Sequence, residues 1–200
     1  MLDRIMGVIT LKAPVYRQIA DDKNDTMNAG IVLVVATLIS GFFGGLVGFN
    51  AQTNTAAVSI GGAVFGAIFG VIFALIGWVI TAWVLQFVAK QLGGKTDTGE
   101  MLRVTGYVGV FNIVGVLNVL VLAGTALSCV VGLVGIVVAV LKLIGYLIGV
   151  REAAEFSTTN AIITAVIAAI VNFIIVVVVG GAIAAAFVLA LGVAGAATGG

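Results

Sequence analysis

Histidine is absent from these 200 residues, which removes the side chain used most often as general base and as metal ligand. Cysteine occurs once, as Cys129; it has no partner for an internal disulfide and, set in an apolar run, reads as a small buried hydrophobe. Charge is scarce as well, at 8% of residues against about 25% in a soluble protein. So few charges cannot coat a water-soluble globule, and the chain must dissolve in lipid. Nine basic and eight acidic residues leave a net charge of +1, with no dense basic face for nucleic acid. Catalytic constellations are missing. The carboxylates available to a metal in the connections are Asp97, Glu100, Glu152 and Glu155; Glu152 and Glu155, three apart and following Arg151, read as a salt-bridged helix end. The stretch Gly93-Gly94-Lys95-Thr96 lacks the first glycine of a phosphate-binding loop and follows no soluble strand. A non-enzymatic protein without metal or cofactor is expected.

What the sequence has in abundance is apolar length: 62% hydrophobic residues and a mean hydropathy of +1.32. About 20 mostly apolar residues cross the hydrocarbon of a bilayer as a helix. Five such runs occur, Ala29–Phe49, Gly62–Ala89, Val104–Ala123, Leu127–Ile148 and Ala161–Val179, the last continuing apolar toward Leu191. None alternates in the manner of a lipid-facing barrel strand. The fold class is therefore all-α, a polytopic membrane bundle of five transmembrane helices. The basic residues fall on alternate connections. Arg4, Lys12, Arg17 and Lys23 precede the first run, Lys90, Lys95 and Arg103 follow the second, and Lys142 and Arg151 follow or end the fourth. The connection 50–55, the turn 123–126 and the tail carry none. The positive-inside rule places the N-terminus in the cytoplasm and the C-terminus on the opposite side, in the cell (inner) membrane if the source is prokaryotic. Lys142 falls inside the fourth run, near enough to its end to snorkel. An alternative separates a sixth span, Ala182–Ala197, at Gly180-Gly181; a single long or broken last helix is preferred.

Residues 1–27 form a cytosolic or interfacial segment and 28–200 the five-span domain. No signal peptide is evident. Leu2, Ile5, Met6 and Ile9 recur at helical spacing, predicting a short amphipathic helix on the inner interface. Pro14 interrupts it or starts the next helix, and Asp25 or Thr26 is placed to cap the first span. Within the spans, small residues repeat every four positions: Gly41/Gly45, Gly44/Gly48, Gly62/Gly66/Gly70, Gly145/Gly149 and Ala161/Ala165/Ala169. Such stripes let helix backbones approach, either within the chain or against a protein partner or a second copy. Polar groups at depth are few: Gln86, Asn112, Asn118, Asn172, Ser40, Thr81 and Thr164, with no acid among them. Asn112, Asn118 and Asn172 could meet between the third and fifth spans as a small polar site, or serve separately as interhelical hydrogen bonds.

The second basic connection, Leu92-Gly93-Gly94-Lys95-Thr96-Asp97-Thr98-Gly99-Glu100-Met101-Leu102-Arg103-Val104-Thr105-Gly106-Tyr107, resembles a segment of the Yip family of Rab-interacting multi-pass membrane proteins. Its pattern is a double glycine, a basic residue, a short polar stretch, a hydrophobic-basic helix start, and Gly-Tyr entering the third span. Ala13-Pro14-Val15-Tyr16-Arg17-Gln18-Ile19-Ala20 and Val150-Arg151-Glu152-Ala153-Ala154 also fit, so the resemblance covers roughly residues 10–180. It implies five spans, an inside N-terminus and a scaffold character. The cytosolic Asp-Leu-Tyr-Gly-Pro type motif of eukaryotic members does not occur, so their trafficking role with Rab GTPases does not transfer, and the compact chain looks more like the prokaryotic branch. The loop can also be read physically. Gly93-Gly94 ends the second helix, Thr98 or Thr96 caps the next with Glu100 near its start, Met101 and Leu102 dip into the interface, and Arg103 meets lipid phosphates. Gly93, Gly94, Lys95, Glu100, Arg103, Gly106 and Tyr107 thus form a candidate partner- or lipid-facing loop. The expected function is a membrane scaffold or adaptor, with a small-solute channel or transporter, or an accessory subunit, as alternatives.

Overall fold

The computed structural model describes residues 1–50, 55–175 and 177–178. Among the described residues, five helical stretches are long and apolar enough to cross a membrane: Lys23–Leu46, Ile60–Gln91, Thr98–Ala123, Ala126–Ala154 and Thr158–Ile175. They coincide with the five runs expected from the sequence. A sixth span at 182–197 lies outside the described residues.

Two short helices precede the spans, α1 (Leu2–Ile9) and α2 (Ala13–Asp21). Pro14 sits in the first turn of α2, where its missing N–H costs nothing. A 3-10 turn, Lys23–Asp25, leads into α3 (Thr26–Leu46). The polar connection is an antiparallel hairpin, β1 (Val47–Asn50) and β2 (Thr55–Val58), with Val47 opposite Val58 and Asn50 opposite Thr55. The first span therefore stops at Leu46, three residues before the expected Phe49. Ser59 then caps α4 (Ile60–Gln91), its hydroxyl accepting from the Gly62 N–H at 3.1 Å. The third span has two parts, α5 (Thr98–Val108) and a 3-10 helix over Gly109–Ala123. Fifteen residues is several times the usual 3-10 run of about three to four. α6 (Thr125–Ala154) stops at Glu155, which takes the left-handed conformation at φ 56°, and Thr158–Ile175 is α7.

The core lies at the end of the bundle that carries the charges. Val8, Tyr16, Ile19, Met101, Tyr107 and Val150 are fully buried there, so α1 and α2 pack into the same core as α5 and α6. Elsewhere the helices turn large apolar side chains outward, among them Phe65, Phe69 and Phe73 along α4. That pattern suits lipid, which needs no polar coat. α1 exposes Leu2, Met6 and Ile9 and buries Gly7 and Val8 against the protein, as an amphipathic helix at an interface would. Two expectations are corrected. Cys129 is exposed among the described residues. The buried line of α7 is Ala161, Thr164 and Ala168, rather than Ala161, Ala165 and Ala169, because positions three and seven apart stay closer to one face over two turns.

Candidate functional site

The connection between α4 and α5 is built by its glycines and by one acid pair. Gly93 has φ +84°, where an L side chain is strained. A Cβ on Gly94 would come 2.6 Å from the Phe156 ring. The Lys95 N–H donates to the Ala154 carbonyl at 3.1 Å, tying the loop to the end of α6. The cap of α5 is Asp97, not Thr96 or Thr98. Its carboxylate accepts from the Glu100 N–H at 2.8 Å, while the Glu100 carboxylate accepts from the Asp97 N–H at 3.2 Å, a reciprocal capping box. Thr98 donates instead to Gln86 Oε1 at 3.3 Å.

Only the first part of this loop is available to a partner or to lipid. Gly93, Lys95 and Asp97 are exposed. Arg103, Gly106 and Tyr107, expected to face outward, are buried. Arg103 is only 4% exposed. Its Nε donates to the Ile19 and Ala20 carbonyls at 3.2 and 3.0 Å, and Nη2 also donates to Ala20. These are carbonyls of the last turn of α2, which lacks partners of its own. The guanidinium thus caps α2 instead of meeting phosphate. Met101, expected in the interface, is fully buried. Gly106 is where α5 crosses α3, since a Cβ there would stand 2.9 Å from the Ala29 carbonyl oxygen.

The other arginines are consumed in the same layer. Arg4 pairs with Asp22 at 2.8 Å and with the buried Asp25. Asp25 also accepts from the Asn28 side chain at 2.6 Å, so it does not cap α3 through its side chain. Arg17 pairs with Asp21 at 3.0 Å and Glu155 at 2.7 Å and donates to the Glu152 carbonyl at 2.8 Å. Arg151 pairs with Glu152 at 2.7 Å. Glu152 and Glu155 therefore serve different arginines and share no helix face. The hydrogen bond from Arg4 holds the Asp22 carboxyl below the usual range. Burial pushes the Tyr16 hydroxyl above its ordinary value, and that hydroxyl donates to the Val8 carbonyl at 3.1 Å. The lysines behave oppositely. Lys12, Lys23, Lys90 and Lys95 are exposed and, among the described residues, enter no ion pair.

Inside the bundle the three asparagines do not meet. Asn112 accepts from Lys142 Nζ at 2.6 Å and donates to Thr37 Oγ1 at 3.4 Å. Asn118 lies beside Gly44. Asn172 accepts from the Thr81 hydroxyl at 3.2 Å and donates to the Ala168 carbonyl at 3.0 Å, fastening α7 to α4. Lys142 turns inward and does not snorkel. Helical side chains lean toward the helix N-terminus, which for α6 is the end away from the charged layer. Gly41 and Gly45 face Gly66 and Gly62, with a Cβ on any of the four colliding with backbone across the contact; Gly70 lies more loosely, 3.8 Å from Gly41 Cα. These glycines are taken by α3 on α4 within the chain. Toward the charged end of the same two helices an apolar groove of about 610 Å³ is lined by Met27, Gly30, Ile31 and Trp78 among others.

The asparagine at the Lys142 contact could be named from the sequence; its cation could not, because a lysine near a span end has two directions open to it. The missed capping box had its signal in Asp97-x-x-Glu100. In comparisons with known proteins, the family model of the Yip1 domain matches residues 6–180. No curated protein and no solved structure matches the chain.

Proposed function

Because the chain belongs to the Yip1-domain family, we propose that it is a non-enzymatic scaffold or adaptor of the membrane, acting through its charged end in membrane organisation or trafficking. The observation that carries this reading is the division of labour among its cations. Arg4 ties α1 to Asp22 and Asp25 ahead of α3, Arg17 ties α2 to the end of α6, and Arg103 ties the start of α5 to α2, while Arg151 pairs with its neighbour Glu152. Lys12, Lys23, Lys90 and Lys95 stay outside this network. A preorganised surface loses little conformational freedom on docking, and its positive fringe would favour anionic headgroups and an acidic protein partner near them. Under the positive-inside rule this end faces the cytoplasm.

A photo-crosslinker placed at Lys90 or Lys95 in native membranes tests the reading. A discrete adduct with one other protein, lost when Lys12 and Lys23 are changed to Glu, is expected. Adducts with lipid alone would overturn it.

A further inference from the structure

The fifth lysine stands apart from the others. Lys142 is twelve residues before Ala154, the last residue of α6, about 18 Å along a helix rising 1.5 Å per residue. The eight acids of the chain are Asp3, Asp21, Asp22, Asp25, Asp97, Glu100, Glu152 and Glu155, and none of them reaches it. Its ammonium makes one hydrogen bond among the described residues, to Asn112 Oδ1, leaving two N–H groups. Asn112 Nδ2 spends one of its hydrogens on Thr37 and keeps the other. The Ser40 hydroxyl is turned to the Thr37 carbonyl at 3.1 Å. The spare hydrogen-bonding capacity of this cluster is thus mostly donors, with a positive charge and, among the described residues, no counter-charge.

These groups border an open cleft of about 260 Å³, whose mostly apolar wall includes Ser40, Phe111, Asn112, Gly135, Val138 and Lys142. At about 30 Å³ per water that is room for roughly eight waters, or for a small anion with part of its hydration. The space has a structural cause on each side. On α6, Gly135, Ala139 and Lys142 share one face, and no described residue lies within 4 Å of a Cβ built on Gly135. Opposite, the 3-10 winding stacks every third residue, so Asn112, Gly115 and Asn118 form one line. An α-helix would rotate each of these about 60° from the last. On α3 this line meets Thr37, Ser40 and Gly44: Gly115 presses on Ser40, and Asn118 Nδ2 is 3.7 Å from a Cβ built on Gly44. The long 3-10 segment thereby presents polar groups to the cation.

We propose that this cleft is an intramembrane site for a phosphate-type oxyanion, borne by a lipid headgroup or taken up as the free anion. An isolated lysine at this depth is costly, and several convergent donors suit an acceptor with several oxygens. The site is separate from the scaffold surface at the charged end and does not depend on that reading.

The test is thermal unfolding of the delipidated full chain in neutral detergent. The added probes are phosphatidylglycerol, phosphatidylcholine or inorganic phosphate, with ionic strength matched by sodium chloride. The wild type should gain several degrees with phosphatidylglycerol or with phosphate and clearly less with phosphatidylcholine, whose phosphate is offset by its own ammonium. A response to the lipid alone assigns a headgroup; a response to phosphate alone, or to both, assigns the free anion. Lys142→Arg should keep the gain, while Lys142→Met and Gly135→Leu should abolish it. Gly135→Leu retains the charge and fills the space, so it carries the test if Lys142→Met does not fold. The exposed lysines bind anionic lipid in every variant, so the difference between wild type and variants is decisive. An equal gain in wild type and both variants, or no gain with either anion, overturns the proposal.

Discussion

Arg103 brings a positive charge inside the protein and meets carbonyl oxygens of α2 rather than a carboxylate. Each hydrogen bond to a charged group contributes roughly 1.5–3 kcal/mol, and unpaired buried carbonyls cost about 1–3 kcal/mol. Arg103→Met should therefore destabilise the chain by about 3 kcal/mol, seen as a lower unfolding midpoint in detergent. Arg103→Lys should recover less than half of the loss, since one ammonium cannot reproduce the planar fork. Tyr16 gives a pH signature. Its folded pKa is raised by burial above the ordinary 10.0, so its contribution is complete below about pH 10. That contribution is lost as pH rises through the folded value, because the unfolded chain ionises first. Tyr16→Phe should cost about 1 kcal/mol at neutral pH, and the wild type should forfeit that advantage above pH 10. A constant gap between the two across that range would contradict the assignment. The Asp22 pairing works at the other limit: present above pH 3.8, it is lost as pH falls through the lower folded value. At this scale the sequence was half legible. A cap at the start of α5 with Glu100 in its first turn was expected, but it was assigned to Thr96 or Thr98 although Asp97-x-x-Glu100 has the capping-box spacing; the direction of Arg103 depended on where α2 packed, which local sequence does not encode.

Among elements, the contact of α3 with α4 is the one most exposed to a single change. Gly45 lies directly against the Gly62 carbonyl, so Gly45→Leu forces the helices apart. Overpacking of this kind costs about 1–3 kcal/mol. Gly132→Leu on α6, where no described residue lies within 4 Å, should stay within about 0.5 kcal/mol of wild type. Parallel melts of the two variants check the pair, and equal midpoints would show that close approach does not explain the glycines, since the gain in helix propensity is common to both. The glycine spacing in α3 and α4 was plain in the sequence, though it could not say whether the partner helix belonged to the same chain. The 3-10 winding of Gly109–Ala123 was not legible, for an apolar run of that length reads equally well as α-helix. The hairpin was missed because its pairing residues lie partly in the apolar run that ends the first span.

The whole molecule is a membrane bundle whose buried core, among the described residues, is concentrated at one end. Five apolar runs were enough to anticipate the five spans, because the bilayer imposes length and leaves little choice of secondary structure. What sequence could not separate was which cations bond within the charged end and which remain outside, a distinction that exists only once α1, α2, α5 and α6 are packed. The scaffold account depends on that outer surface holding another protein. Its most direct test is gentle extraction from native membranes followed by native mass spectrometry of the intact assembly. The account predicts a mass that includes a different protein chain in fixed ratio, diminished when Lys90 and Lys95 are changed to Glu. A homogeneous mass made up of this chain alone, unchanged by those substitutions, would contradict it.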